Sequence, residues 1–247
     1  MEKKIFLIGE GASFFVDPKT DVNTKFGIIH SKDLIKAKPG SKIKTHKGKV
    51  FYVVNPTIPD LFRKLIRLPQ IIILKDLGSI ISYSGITSDS KILEAGTGSG
   101  FSACVMASIA REGSVISYEI RKDFIKVAKK NIKLFGLDNI KIINSDIKEG
   151  VKQKGFDFVL LDLPDPWNVV QKVSEAMKVG ARMCTYSPSI IQIEKTVRAL
   201  PKGFEIERLI NTLENDWKVE LDRDILRPES SGITHTAFLL FSRKVSD

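Results

Sequence analysis

Two cysteines, three histidines and no long apolar run are what this 247-residue sequence has least of. Cys104 and Cys184 each sit among small or apolar neighbours, and two isolated cysteines build neither a disulfide framework nor a zinc cluster. They read as buried thiols, which behave as small hydrophobes. His30, His46 and His235 show no metal-ligand spacing, so no metal is expected. The longest purely aliphatic run, Ile71 to Leu74, is far too short to span a bilayer. The stretch from Met1 to Gly9 is basic and then briefly apolar, without the longer apolar region and small-residue cleavage site of a secretory signal. It reads as a first β-strand, and the protein as cytoplasmic with no membrane partner.

Positive charge is abundant. The formal net charge is +10 and the isoelectric point about 9.5, which favours a polyanionic partner, most simply a nucleic acid. Lysine enrichment also accompanies a thermophilic lifestyle, so charge alone leaves the partner open. Hydrophobic residues make up 43%, enough for a real core and too many for a disordered chain.

Two regions differ in pattern. Residues 1 to 58 carry short β-like runs, Lys4 to Ile8, Ser13 to Val16, Lys42 to Thr45 and Val50 to Val54, punctuated by Asp17-Pro18, Pro39-Gly40 and Lys47-Gly48. This predicts a small β-rich domain. Helical patterns at Pro59 to Arg67 and Lys75 to Tyr83 predict a connector over 59–90. From 91 to 247, strands alternate with helices. Strands are expected at Lys91 to Ala95, Ser114 to Glu119, Ile140 to Asn144, Phe156 to Leu161, Ala181 to Tyr186, Phe204 to Asn211 and Thr236 to Ser242. Helices are expected at Phe101 to Arg111, Lys122 to Phe135, Asn168 to Lys178 and Ile190 to Leu200. The second of these has Phe124, Val127, Ala128, Ile132 and Phe135 on one face, and Gly136 as its stop. The alternation predicts an α/β fold, a Rossmann-like, doubly wound and mostly parallel seven-stranded sheet.

The strongest chemical feature is Glu94-Ala95-Gly96-Thr97-Gly98-Ser99-Gly100, after a buried strand and before a helix. Glycines there let the backbone turn sharply and aim amide N–H groups at a ligand. The spacing is Gly-x-Gly-x-Gly, not the dinucleotide Gly-x-Gly-x-x-Gly. Acids decide between cofactors. Glu94, Glu119, Asp146 and Asp162 end or follow the first four strands, whose C-termini face one crevice in this topology. A pyrophosphate would be repelled there. S-adenosylmethionine carries a sulfonium, an ammonium and donor hydroxyls and amine, and suits such a site. Backbone at Gly98, Ser99, Gly100 and Phe101 would meet its methionine end, with the Ser102 hydroxyl beside them. Glu119 would accept from the ribose hydroxyls and Asp146 from the adenine amine. Phe124 would either pack near the adenosine or belong to the core. In Asp162-Leu163-Pro164-Asp165-Pro166-Trp167, prolines stiffen a loop that holds a carboxylate where a substrate would dock.

These motifs are joined by Phe26-Gly27-Ile28-Ile29, Pro39-Gly40-Ser41, Thr45-His46-Lys47-Gly48, Pro69-Gln70-Ile71-Ile72, Lys75-Asp76, Tyr118-Glu119-Ile120-Arg121, Tyr186-Ser187-Pro188, Arg227-Pro228 and His235-Thr236. Over nearly its whole length the chain resembles the tRNA adenine-N1 methyltransferases that modify the T-loop, in their archaeal and bacterial form. The resemblance implies methylation at position 58, 57 or both, with 1-methyladenosine as product, S-adenosylmethionine as donor, tRNA as partner and a homotetramer built as a dimer of dimers. It places the catalytic carboxylate at Asp162 and cofactor contacts at Gln70 and the glycine loop, including Gly96. The sequence departs from the family at Ile73, where an aromatic residue or a histidine is common, and at Leu74, which replaces a proline. Trp167 and Tyr186 are candidates to grip the base instead, with Arg227 and His235 as further substrate contacts. Arg63, Lys64, Arg67 and Lys75 could hold phosphates. Two other readings stay open: a methyltransferase acting on a small molecule or a protein carboxylate, and a non-catalytic tRNA-binding subunit.

Overall fold

A computed structural model describes residues 5–68, 70–229 and 235–247. The chain divides into two compact units, Met1–Arg63 and Lys64–Asp247.

In the first unit, β1 (Ile5–Gly9), β2 (Ala12–Val16), β5 (Lys42–Lys44) and β6 (Val50–Val54) form an antiparallel sheet in the order β2-β1-β6-β5. A hairpin of β3 (Val22–Thr24) and β4 (Gly27–Ile29), and a short helix α1 (Ser31–Ile35), complete it, and α2 spans Ile58–Lys64. Lys4, expected to start the first strand, lies outside the described residues. Alternation along the strands sends Leu7, Val16, Ile43, Phe51 and Val53 inward to join Ile29 and Leu34. The hairpin and α1 were not legible in the turn signals. The hairpin is fixed from outside, because the Ile28 N–H donates to His46 Nδ1 at 2.7 Å and the Thr45 hydroxyl donates to the Phe26 carbonyl at 2.9 Å. His46 is a structural hydrogen-bond acceptor, and the Phe26–Ile29 and Thr45–Gly48 motifs are two halves of one contact.

The second unit opens with α3 (Leu74–Ser84). Then come β7 (Lys91–Ala95), α4 (Phe101–Ile109), β8 (Ser114–Tyr118), α5 (Lys122–Phe135), β9 (Ile140–Ile143), β10 (Phe156–Leu161), α6 (Val170–Ser174), β11 (Met177–Ser187), α7 (Ile190–Ala199), β12 (Phe204–Ile210), the β13 (Trp217–Glu220) and β14 (Ile225–Pro228) hairpin, and β15 (Phe238–Lys244). Seven strands form one sheet in the order β12-β15-β11-β10-β7-β8-β9. Only β15 runs against the others. This is the expected Rossmann-like sheet, with the C-terminal ends of β7, β8 and β10 side by side. Central strands buried on both faces explain the near-continuous apolar runs of Phe156–Leu161 and Lys91–Ala95. Among the described residues no helix is long and apolar enough to cross a membrane.

Two expectations are corrected. The helix expected over 168–178 is a 3-10 turn, Pro166–Asn168, followed by the five-residue α6. Its remainder is taken by β11, because Met177 pairs with Phe156 on β10 and sheet pairing overrides the helix propensity of Glu175-Ala176-Met177. The inward face of α5 is also rotated from the expected one. Ile125, Val127, Ala128 and Asn131 are buried, whereas Phe124, Ile132 and Phe135 are only half-buried.

The start of α3 is tied down by a buried polar knot. Lys75 Nζ donates to Asp76 Oδ1 at 2.7 Å, to the Thr212 carbonyl at 2.9 Å and to the Thr236 hydroxyl at 2.8 Å. Asp76 also accepts from the Thr212 hydroxyl and from the Tyr186 hydroxyl, the latter at 3.3 Å. Lys75 is therefore an internal ion-pair partner and not a phosphate contact; its side chain is 6% exposed and that of Asp76 fully buried. Removing one partner of such a pair strands the other charge. Lys75→Met is expected to lower unfolding free energy by about 3–5 kcal/mol, measured by denaturant titration; a loss under 1 kcal/mol would show that the knot is not a stabilising tie.

Candidate active site

The cleft lies at the C-terminal edge of the sheet, lined by Gln70, Ile71, Ile72, Gly96, Thr97, Gly98, Ser99, Phe101, Ser102 and Asp162. Its floor is the turn from β7 into α4. The Gly96 and Thr97 N–H groups donate to the Tyr118 carbonyl, at 3.1 and 3.3 Å, which draws the turn towards the end of β8. Gly96 has φ +94°, and a methyl group there would overlap the carbonyl oxygen of Asp162. Gly100 has φ +76° and caps α4, where a Cβ would stand 3.0 Å from that of Ala128 on α5. Both positions need glycine for conformation and for space. The N-terminus of the nine-residue α4 thus faces the cleft with the positive end of its dipole, which suits an anionic group.

Glu94, expected in the ring of acids around the crevice, stands behind the turn. It is fully buried, and its two oxygens accept from the Ser102 and Ser117 hydroxyls, the latter at 2.5 Å. Burial pushes its carboxyl up to about 7 against the pull of those hydroxyls, with Asp162 and Glu119 adding to the rise. The Ser102 hydroxyl is therefore committed to Glu94, and the Phe101 ring is core, edge-on to Phe135 at 6.2 Å. Glu119 is held by two backbone donors, Gly98 N–H and Arg121 N–H, each at 2.9 Å. That fixes both oxygens at the rim, and each retains a lone pair. Asp146 caps a 3-10 turn, Ile147–Glu149, through the Lys148 N–H at 2.8 Å. Phe124 lies under the Arg121 guanidinium, 3.8 Å from the ring centroid, at the start of α5.

Asp162 follows β10, and its N–H donates to the Ala95 carbonyl at 2.9 Å. Its half-buried side chain accepts no hydrogen bond among the described residues. Burial, with Glu119 nearby, pushes its carboxyl up to about 7. The loop behind it is pinned by Gln192, whose amide donates to the Pro164 carbonyl at 2.8 Å while its oxygen accepts from the Ser189 N–H at 3.1 Å at the start of α7. Trp167 is half-buried, with the Lys195 ammonium 4.8 Å from its ring. Tyr186 is buried and bonded to Asp76, and burial and that carboxylate push its phenol up. His235 is exposed and bonds the Pro188 carbonyl at 3.0 Å; Arg227 is exposed on β14. Gln70 is exposed at the cleft, and Pro69 beside it lies outside the described residues.

Sequence reading missed Asn131. Its amide nitrogen donates to the Ser99 carbonyl at 2.8 Å and to the Ile66 carbonyl at 2.9 Å, and its oxygen accepts from the Ile66 N–H at 3.1 Å. One side chain so joins the glycine turn to the segment that carries Gln70–Ile72 into the cleft. The available signal was a polar residue on the apolar stripe of α5.

The family model described as "tRNA methyltransferase complex GCD14 subunit" matches residues 49–223. The chain is 34% identical to the tRNA (adenine(57)-N(1)/adenine(58)-N(1))-methyltransferase TrmI of Methanocaldococcus jannaschii, over 89% of this chain and 86% of that one. Among solved structures it is similar to an S-adenosylmethionine-dependent O-methyltransferase from Thermotoga maritima, with TM-score 0.85, 32% identity and coverage of 100% and 94% of the two chains. It is also similar to the tRNA (m1A58) methyltransferase TrmI from Aquifex aeolicus, with TM-score 0.81, 28% identity and coverage of 100% and 98%.

Because the folded Glu94 binds its proton more tightly than the unfolded chain does, stability conferred at low pH is lost as pH rises from about 4.5 to about 7. A Glu94→Gln variant has no such proton to lose. The stability of the cofactor-free wild type relative to this variant is expected to fall by about 3 kcal/mol between pH 4.5 and 8, read from parallel urea titrations. A constant difference would show that folding does not shift the Glu94 carboxyl.

Proposed function

We propose, from the premise that the chain belongs to the tRNA methyltransferase complex GCD14 subunit family, that it transfers a methyl group from S-adenosylmethionine to N1 of an adenosine in the tRNA T-loop, at position 58, 57 or both, giving 1-methyladenosine. The observation that carries this reading is the Asp162 carboxyl, which lacks a hydrogen-bond partner among the described residues and lies in a cleft whose other lining residues include no basic side chain.

The cleft fits S-adenosylmethionine. Its acids suit a cation, the N-terminus of α4 suits the methionine carboxylate, and the crowding at Gly96 leaves backbone where any side chain would stand. When bound, the cofactor supplies a methyl group carried on a positively charged sulfur. The backbone from Gly96 to Ser102 and Gln70 would hold its methionine end, Glu119 its ribose hydroxyls and Asp146 its adenine amine. Glu94 acts from behind, through Ser102. Asp162 accepts a hydrogen bond from N6 of the target adenine. That raises electron density at N1 and offsets the positive charge the base gains. A T-loop adenine is drawn from its stack to reach this cleft. Trp167 stands at the loop after Asp162, whereas Tyr186 serves as a wall braced by Asp76. The reading extends to a cytoplasmic homotetramer, for which light scattering should return about four times the 27.6 kDa chain mass.

The direct test is incubation with labelled S-adenosylmethionine and an unmodified tRNA transcript, followed by digestion to nucleosides. Label in 1-methyladenosine supports the reading. Label in a ribose methyl ether would instead follow the name of the Thermotoga relative and overturn the assignment of N1. Asp162→Ala should cut turnover by about two orders of magnitude or more; near-wild-type turnover would remove Asp162 from the mechanism. Asp162 offsets the charge gained by the base only as a carboxylate, so kcat/KM should fall as pH drops through about 7, and Asp162→Asn should flatten that profile.

A further inference from the structure

Helix α5 presents two opposite faces. Its inner face carries Ile125, Ala128 and Asn131. Its outer face carries Lys122, Lys126, Lys129, Lys130 and Lys133, all exposed. At 3.6 residues per turn these five fall within an arc of about 100°, and they extend over about 16 Å of helix. No acidic side chain interrupts the arc. Asp123, at its margin, is held by Arg121 at 2.6 Å. None of the five lysines makes an ion pair among the described residues. The other long helices of this unit differ. On α7, Arg198 is paired with Glu194 at 2.8 Å and Lys195 sits over Trp167, and on α3 Lys75 is buried.

The ridge is placed by the fold. The helix starts at the C-terminal edge of the sheet, where the Arg121 N–H bonds Glu119 at the cleft rim, and runs back along the sheet from there. Five like charges at helical spacing repel one another, and a lysine row of this kind adds no packing. A polyanion lying along it would remove the repulsion and release its own counterions.

We propose that the lysine ridge of α5 is a docking surface for the phosphate backbone of the tRNA, leading from the rim of the cleft along the body of the enzyme. The inference rests on the reading of the substrate as tRNA. The ridge tracks phosphates as a row of point charges, so it adds affinity and orientation and reads no bases.

The test is a variant with Lys126→Gln, Lys129→Gln, Lys130→Gln and Lys133→Gln combined, beside a second with the same four lysines changed to Arg. Lysine, glutamine and arginine have similar helix propensities, and the inner face is untouched. Binding of the unmodified tRNA transcript is measured across a salt series, with S-adenosylmethionine affinity and kcat at saturating tRNA in parallel. For the Gln variant, affinity should fall at least about tenfold near 0.1 M salt and the log–log salt slope should shrink by about 3. Cofactor affinity and kcat should stay at wild-type values, and the Arg variant should keep both affinity and slope. A Gln variant with wild-type affinity and slope overturns the ridge while wild-type methylation of tRNA leaves the substrate reading intact. An Arg variant as weak as the Gln variant also overturns it, because charge would not be what matters. If the wild type neither binds nor methylates tRNA, the substrate reading fails and the ridge proposal falls with it.

Discussion

The turn after β7 passes so close to the end of β10 that the Asp162 carbonyl occupies the space where a side chain at position 96 would begin. Much of the site depends on that approach. It brings the glycine turn and the Asp162 loop within one cleft, and the Asp162 N–H to Ala95 carbonyl bond locks the two strand ends in register. Three further ties keep the turn from drifting. Backbone at Gly96 and Thr97 is bonded to Tyr118, Gly98 to Glu119, and Ser99 to Asn131. A cofactor meeting this edge finds groups already in place, so little ordering remains to oppose binding.

Charge is arranged in two layers. Around the cleft the ionisable groups are acids, with Glu94 behind the turn, Glu119 at the rim and Asp162 across the gap, and repulsion between their charged forms adds to the cost of burial. A cationic ligand relieves that cost and a neutral one does not. Outside the cleft the excess is positive, and on α5 five exposed lysines share one helix face. An acidic cleft within a basic surface separates the two jobs of such an enzyme, holding a small cation and holding a large polyanion.

The sheet was legible because its strands and helices obey local rules. Lys91–Ala95, Phe156–Leu161 and the helix Lys122–Phe135 match their expected ranges, since apolar runs bounded by turn residues and an amphipathic repeat are enough to define them. The Gly96–Gly100 turn and the acids at the strand ends were legible for the same reason, as their positions follow from chain order. What was hidden depends on partners distant in sequence. The β3–β4 hairpin is held by His46 and Thr45, the knot at Lys75 by Thr212 and Thr236, and the glycine turn by Asn131. Lys75 looked like a free surface charge because nothing local reveals that two of its partners, Thr212 and Thr236, lie more than 130 residues away. The direction of Glu94, inward and not into the cleft, follows from Ser117 on the neighbouring strand, which no spacing rule discloses.

The lone antiparallel strand has a consequence for how the molecule comes into being. β15 lies between β11 and β12, and β12 has no other neighbour in the sheet. During synthesis β12 emerges first and has nothing to pair with, and one edge of β11 stays open, until residues 238–244 appear. Thr236, just before β15, brings one of the last hydroxyls to the buried Lys75. An open edge beside an apolar strand is the kind of surface on which nascent chains associate. The native sheet is therefore closed only when β15 inserts between two strands made before it, and the edges of β11 and β12 find their shared partner in that one step.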